Sequence, residues 1–238
     1  LRSTPFSGPG LEMKASVKAF VQARMSSQRY PGKVLAPFRG EAMIRHVLRA
    51  VEHTFSSEDI VVVTSTELSD DPLVRYIESL GMHVHRGSLN NVLARFQSGA
   101  REYPCEWIMR VNGDSPLLFP EVLRLAIPHV AVDAPDVVTT VFPRSFPKGQ
   151  NVELIRVSAL QTIRMEETTL NDQEHVTPFF YRQPDRFRIV NLDSGNRSLA
   201  EVGLAVDTIE DLSRLEQLSI DELRRFRPPV LSASVASM

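Results

Sequence analysis

The run "DIVVVTS" at positions 59–65 constrains the fold more than any other stretch. It is continuously β-branched and lacks polar alternation, the pattern of a strand buried on both faces. Such a strand needs sheet neighbours on each side and helices above and below. The surrounding sequence supplies them. "SVKAFVQA" (16–23) reads as a second strand. Between the two, "EAMIRHVLRAVEHTF" places Met43, Ile44, Val47, Leu48 and Val51 at helical spacing. "DPLVRYIESLG" predicts a helix with Pro72 in its first turn and Gly81 as its stop. "MHVHRG" predicts a short strand. "SLNNVLARFQSGAREY" predicts a helix with Ser88 as N-cap. "EWIMRVNGD" is a further strand, followed by the helix "PEVLRLAIPHVAV". Strand and helix in alternation argue a parallel sheet with helices on both faces.

The pattern loosens after about residue 135. "DVVTTVF" and "NVELIRVS" read as strands around the turn "PRSFPKGQ". Helices are expected near "VSALQTIRMEE" and at "DQEHVTPFFYRQ", strands at "FRIVNLD" and "VGLAVD", and a capped helix at "TIEDLSRLEQL". The expected organisation is one α/β domain over 14–226, with 140–190 as an insertion that covers an acceptor or makes a dimer contact. Residues 1–13 read as a leader ending at Met13, and 227–238 as a loose tail.

Composition removes several classes. The net charge of −2 offers no global field for nucleic acid or anionic membranes. Cys105 is the single cysteine, so an intramolecular disulfide and a four-cysteine zinc site are excluded. No apolar run is long enough to span a bilayer, and a reducing cytoplasm is the expected home.

Ligands of open α/β sheets bind at the carboxyl ends of strands, where strand order reverses. Three segments follow such ends. "QARMSSQRYPGKVL" (22–35) places Arg24, Arg29 and Lys33 on a loop with Ser26, Ser27 and Gly32. Guanidinium forks, an ammonium and accessible backbone N–H groups suit phosphate oxygens. The plainer alternative is a solvated basic loop. Neither a P-loop nor a G-x-G-x-x-G fingerprint is present. In "RVNGDSPLLFP", Asp114 is either a turn residue bonding its own backbone or a ligand for Mg²⁺. In "LAVDTIEDL", Asp207 is either part of a helix cap or a second metal ligand. Two such aspartates and a basic loop together favour a metal–triphosphate site.

In order along the chain, these segments resemble the cytidylyltransferase superfamily that activates acidic sugars (acylneuraminate and 3-deoxy-octulosonate cytidylyltransferases). The spore-coat polysaccharide branch is closest in look. "QARMSSQRYPGKVL", "HRGSLNNVLARF", "RVNGDSPLLFP", "PKGQNVEL", "EHVTPFFYRQPDRFRIVNL" and "AVDTIEDL" follow the family's order from about residue 15 to 220. The resemblance implies a nucleotide-diphospho-sugar transferase-like fold and transfer of CMP from CTP to an acidic sugar or related acceptor, with pyrophosphate released. It implies Arg24, Lys33 and Asp114 as catalytic groups. Ser26, Arg29, Arg86, Gly87, Ser88 and Asn91 would join Arg24 and Lys33 on the nucleotide. Asp114 and Asp207 would hold Mg²⁺, and Lys148, Asn151, Glu153 and His175 would line the acceptor side. A homodimer is also implied. One position departs: where the branch has aspartate in G-x-D-x-E, this chain has Asn151 and keeps Glu153. The rival readings are a glycosyltransferase with a nucleotide-sugar donor and a catalytically silent scaffold. Against the first stands the lack of Asp-x-Asp at Asp114, whose second neighbour is Pro116.

The remaining candidates each have a structural alternative. His83 and His85 share a strand face but show no third metal ligand. His175 is a structural or an acceptor-side histidine, and Lys148 a solvated turn lysine or an acceptor contact. Phe179, Phe180 and Tyr181 read as packing residues, and Cys105 and Trp107 as bystanders at a strand start.

Overall fold

The computed structural model describes residues 15–132 and 135–233, so the leader reading lies outside the described residues. The strands in chain order are β1 (Val17–Gln22), β2 (Pro37–Phe38), β3 (Glu41–Ala42), β4 (Ile60–Ser65), β5 (His83–Gly87), β6 (Trp107–Asn112), β7 (Val137–Thr139), β8 (Glu153–Arg156) and β9 (Ile189–Asn191). Seven of them form one sheet in the order β5-β4-β1-β6-β8-β7-β9, and β2 and β3 form a separate hairpin. β4 is parallel to both β1 and β5, and β6 is parallel to β1. β8 runs antiparallel to both β6 and β7, whereas β9 is parallel to β7. The sheet is therefore mostly parallel, with one reversed strand.

The helices are α1 (Met43–Glu52), α2 (Asp71–Ser79), α3 (Val92–Glu102), α4 (Pro120–Ala126), α5 (His129–Val132), α6 (Val157–Gln161), α7 (Leu170–His175), α8 (Pro178–Tyr181), α9 (Ile209–Glu216), α10 (Ile220–Arg225) and α11 (Pro229–Ala233). Every residue of β4 is buried, as its unbroken apolar run requires. Its side chains alternate between two cores. Ile60 and Val62 pack with residues of α1, α2, α4 and α9. Val61 and Val63 pack with residues of α3, α6 and α8. Helices thus cover both faces.

Several local expectations are corrected. α3 starts at Val92 and not at Ser88, because Asn91 Oδ1 accepts the Ala94 N–H at 2.8 Å and caps it. The helix expected over 120–132 is two pieces, α4 and α5, with Pro128 between them unable to donate an N–H. The helix expected over 172–183 divides at Val176, whose φ is 68°. "VGLAVD" is no strand: it makes one bridge, Gly203 to Lys148, and then bends at Ala205. In the expected loose tail, α11 buries Leu231 in the larger core. The paired histidines do not form a site. His85 is buried between Glu102 (2.6 Å) and Ser98 (2.8 Å), while His83 lies against the Tyr103 ring. Phe179, Phe180 and Phe187 pack edge to face, as core residues. Trp107 is buried under the Arg156 guanidinium. Burial pushes the Cys105 thiol up to about 11, which keeps it unreactive at neutral pH. Among the described residues, no helix is long and apolar enough to cross a membrane.

Candidate active site

Strand order reverses beside β1: the chain moves outward through β4 and β5, then returns to place β6 on β1's other edge. The carboxyl ends of β1 and β6 lie together there, with Gln22 in register with Asn112. A cavity of about 490 Å³ opens over these ends, lined by residues that include Arg24, Arg29, Lys33, Asp114, His175 and Asp207. This is the crevice that the topology predicts for a ligand.

Each wall is held by local chemistry. The loop after β1 is stitched down by Asp70, a fully buried carboxylate. Asp70 Oδ1 accepts the Met25 N–H at 2.7 Å, while Oδ2 accepts from the Thr64 hydroxyl at 2.8 Å and the Ser65 N–H at 3.0 Å. Burial raises the Asp70 carboxyl, but hydrogen bonds from Ser65, Met25 and Thr64 outweigh it and hold the group below its ordinary range. Gly32 N–H donates to Met25 C=O at 2.7 Å and closes the loop, so that Lys33 points inward from the turn that follows.

The loop after β6 approaches this one so closely that a side chain at Gly113 is excluded. A Cβ there would lie 2.9 Å from Ala23 Cβ and 3.0 Å from Gln22 O. Asp114 follows, and its carbonyl accepts the Val206 N–H at 2.9 Å. Segment 203–206 is pressed against the turn at Gly149, where φ is 99° and a Cβ would meet Leu204 C at 2.6 Å. That contact, and the Leu204 N–H to Lys148 C=O bond of 2.7 Å, deliver Asp207 to the cavity.

The cap weighed for "DTIED" is made by residues other than the Asp207 side chain. Thr208 and Asp211 form the capping box of α9, and Asp211 also accepts the Asp207 N–H. The Asp207 side chain is thereby left for the site. It binds Arg29 at 2.9 Å and Lys148 at 2.8 Å, with Lys33 at 3.4 Å. Burial raises its carboxyl, but Lys148, Lys33 and Arg29 together hold it below the ordinary range. Lys33 Nζ donates to Asp114 Oδ2 at 2.8 Å and to Val206 C=O at 2.6 Å. Arg24 sits 3.7 Å from Glu174. Arg24, Arg29, Lys33 and Lys148 therefore face Asp114, Asp207 and Glu174, leaving one positive charge in excess.

The other expected residues are placed elsewhere. Arg86 spends its guanidinium on Ser65 C=O, Glu67 C=O and Asp71, so it holds the β4–α2 connection. Ser88 Oγ accepts the Asn91 N–H, and its carbonyl accepts from Arg95. Arg86, Gly87, Ser88 and Asn91 do not line the cavity. Neither does Ser26, whose Oγ is buried without a partner among the described residues. Asn151 accepts from Arg144 at 2.5 Å and also lies outside the lining. Glu153 is buried and fully engaged: one oxygen takes Arg110, the other takes the Thr177 and Tyr181 hydroxyls. Burial, then the Glu153 charge, pushes the Tyr181 phenol up, which keeps it a donor.

Glu153 therefore acts through Arg110, a residue the sequence reading missed. Arg110 lines the cavity and also donates to Gln22 Oε1 at 3.0 and 3.2 Å. Its signal was visible: a guanidinium inside the apolar strand "WIMRVN" needs a buried partner. Glu174 and Asp70 were missed as well, since nothing local marks them.

Comparison with known proteins gives the family. The family model for cytidylyltransferase matches residues 19–229. The chain belongs to the cytidylyltransferase family. As a cytidylyltransferase-family protein it is a nucleotidyltransferase. It is similar to the spore coat polysaccharide biosynthesis protein SpsF of Bacillus subtilis, at 30% identity over 83% of this chain and 84% of the relative. A solved cytidylyltransferase from Leptospira borgpetersenii superposes with a TM-score of 0.81 at 26% identity, covering 94% of each chain. The structure of a CMP:2-keto-3-deoxy-manno-octonic acid synthetase complexed with CTP shares the fold, with a TM-score of 0.65 at 16% identity over 85% of this chain and 97% of that one.

Proposed function

We propose that this cytidylyltransferase-family enzyme transfers CMP from CTP to an acidic sugar or related acceptor, releasing pyrophosphate, for surface polysaccharide synthesis. The observation that carries the reading is the Lys33 ammonium seated between Asp114 and Asp207. The two carboxylates are already drawn around a cation, so the donor set suits Mg²⁺, a hard ion that takes one or two carboxylates plus phosphate oxygens. When bound, that ion spreads and neutralises phosphate charge. CTP as the nucleotide is supported by the CTP complex of the solved relative.

The chain's own groups do the positioning. Arg24, Arg29 and Lys33 line the cavity with the reach to hold a triphosphate. The acceptor oxygen attacks the α-phosphorus, the bond to the bridging oxygen breaks, and pyrophosphate leaves with its electron pair. No nucleophilic side chain is required, because positioning and charge stabilisation carry most of phosphoryl transfer. Glu174 and His175 lie on the α7 side of the cavity, where we place the acceptor. The His175 ring makes no hydrogen bond among the described residues, so it is free to orient an acceptor hydroxyl. Lys148, which reaches Asp207 at 2.8 Å, belongs with the acceptor side, and base and ribose contacts by Arg86, Gly87, Ser88 and Asn91 require the 86–91 segment to move toward the nucleotide. A homodimer joined through the 140–190 region, where Phe142 and Leu170 are exposed, and a cytoplasmic location complete it.

Incubation with CTP, Mg²⁺ and a panel of sugar acids should release one pyrophosphate per CMP-sugar formed. Turnover of UDP-sugars without pyrophosphate would reverse the assignment.

A further inference from the structure

Lys33 is not free to hold a phosphate in this structure. Its ammonium has three N–H groups and three acceptors in reach: Asp114 Oδ2 at 2.8 Å, Val206 C=O at 2.6 Å and Asp207 Oδ1 at 3.4 Å. The side chain is only 10% exposed. A buried ammonium is costly to strip of its partners, and two neighbouring carboxylates repel each other once it leaves. The three groups therefore hold one another in place. Arg29 and Lys148 also touch Asp207, but they are 65% and 56% exposed and can return to water at little cost. Lys33 is the cation whose departure needs a replacement.

We propose that Lys33 is the resident counter-ion of the Asp114–Asp207 pair, so that a divalent cation and a polyphosphate enter this site only together. The inference rests on the reading of Asp114 and Asp207 as cation ligands. A cation arriving alone would expel an ammonium with nowhere to go. A polyphosphate arriving alone would meet an ammonium already neutralised by two carboxylates. Arriving together, the cation takes the carboxylates and the ammonium, on its flexible four-carbon stem, takes the phosphate. Each ligand thus raises the other's affinity, and the coupling is reciprocal.

The test titrates Mn²⁺ alone into nucleotide-free enzyme, followed by electron paramagnetic resonance of the free ion. The wild type should show no saturable site, and Lys33→Met should bind at least about tenfold more tightly. The Lys33→Met unfolding midpoint, lowered by carboxylate repulsion, should rise with Mn²⁺ alone. Adding Asp114→Asn to that variant should abolish the gain. If Lys33→Met fails to fold, Lys33→Gln carries the same expectation. Wild-type enzyme that binds Mn²⁺ without nucleotide as tightly as the variant would overturn the counter-ion role while leaving the ligand assignment intact. Absence of Mn²⁺ binding even with CTP would overturn both.

Discussion

Asp114 and Gly113 test the site one side chain at a time. Asp114→Asn keeps an oxygen that accepts from Lys33 but removes the charge. Turnover should fall by about 10²–10³-fold, the scale for losing one transition-state charge contact. The unfolding midpoint should fall only modestly, because the Asn oxygen still accepts from Lys33 and no core packing is lost. Steady-state pyrophosphate release and a thermal melt check the two halves. Retained activity would remove Asp114 from the chemistry. Gly113→Ala acts through space instead. Its new Cβ meets Ala23 and the Gln22 carbonyl at 2.9 and 3.0 Å, so the two loops must part. A cost of about 1–3 kcal/mol is expected, with weaker CTP binding, by denaturant titration and calorimetry. At this scale the sequence exposed the strand-end acids and basic loop. It did not expose Asp70, since "ELSDDP" looks like any acidic turn until a distant N–H is folded onto it.

Among elements, the informative feature is one register row across the sheet. Arg110 of β6 lies opposite Glu153 of β8, which lies opposite Thr139 of β7. The row puts a buried ion pair next to the cavity and ties Tyr181 of α8 to it through both Glu153 and Thr139. Arg110→Ala strands the Glu153 carboxylate and should cost about 3–5 kcal/mol. The double variant Arg110→Met, Glu153→Leu should recover much of that stability but not CTP turnover. Equal stability losses in the single and double variants would show that the pair is not a unit. The sequence marked Arg110 and Glu153 as polar residues in strands. Only the antiparallel placement of β8 between β6 and β7 made them neighbours, and single-strand patterning holds no information about order or direction.

Across the whole molecule, several carboxylates titrate below their ordinary range, and acid should reveal them together. Asp70 is one. Asp172 is another: burial raises it, but Arg182 and Thr169 bring it down further. A folded value below the unfolded one, about 3.9, gives stability that is complete above that pH and is lost as pH falls through the folded value. Unfolding free energy should therefore hold near neutrality and drop steeply below about pH 4. Asp70→Asn should lower the neutral plateau by about 1.5–3 kcal/mol and flatten the acid slope. An unchanged slope by denaturation at stepped pH would discount Asp70.

What the sequence determined by itself was the class of fold and the contents of its strand-end loops. Unbroken β-branched runs must be covered on both faces, and helical apolar spacing supplies the cover. Those are local consequences of period and burial. Tertiary structure alone decided which loop ends meet. Asp207 is separated by 174 residues from the lysine it faces. Gly113 and Gly149 admit that meeting only once two backbones press together. Likewise, the 86–91 segment reads like the nucleotide wall, yet Arg86 is spent on the Ser65 and Glu67 carbonyls and Asp71, and Asn91 on the α3 cap and Met165. A side chain's partner is chosen by whichever group the folded chain brings within hydrogen-bond reach, and linear spacing does not encode that distance.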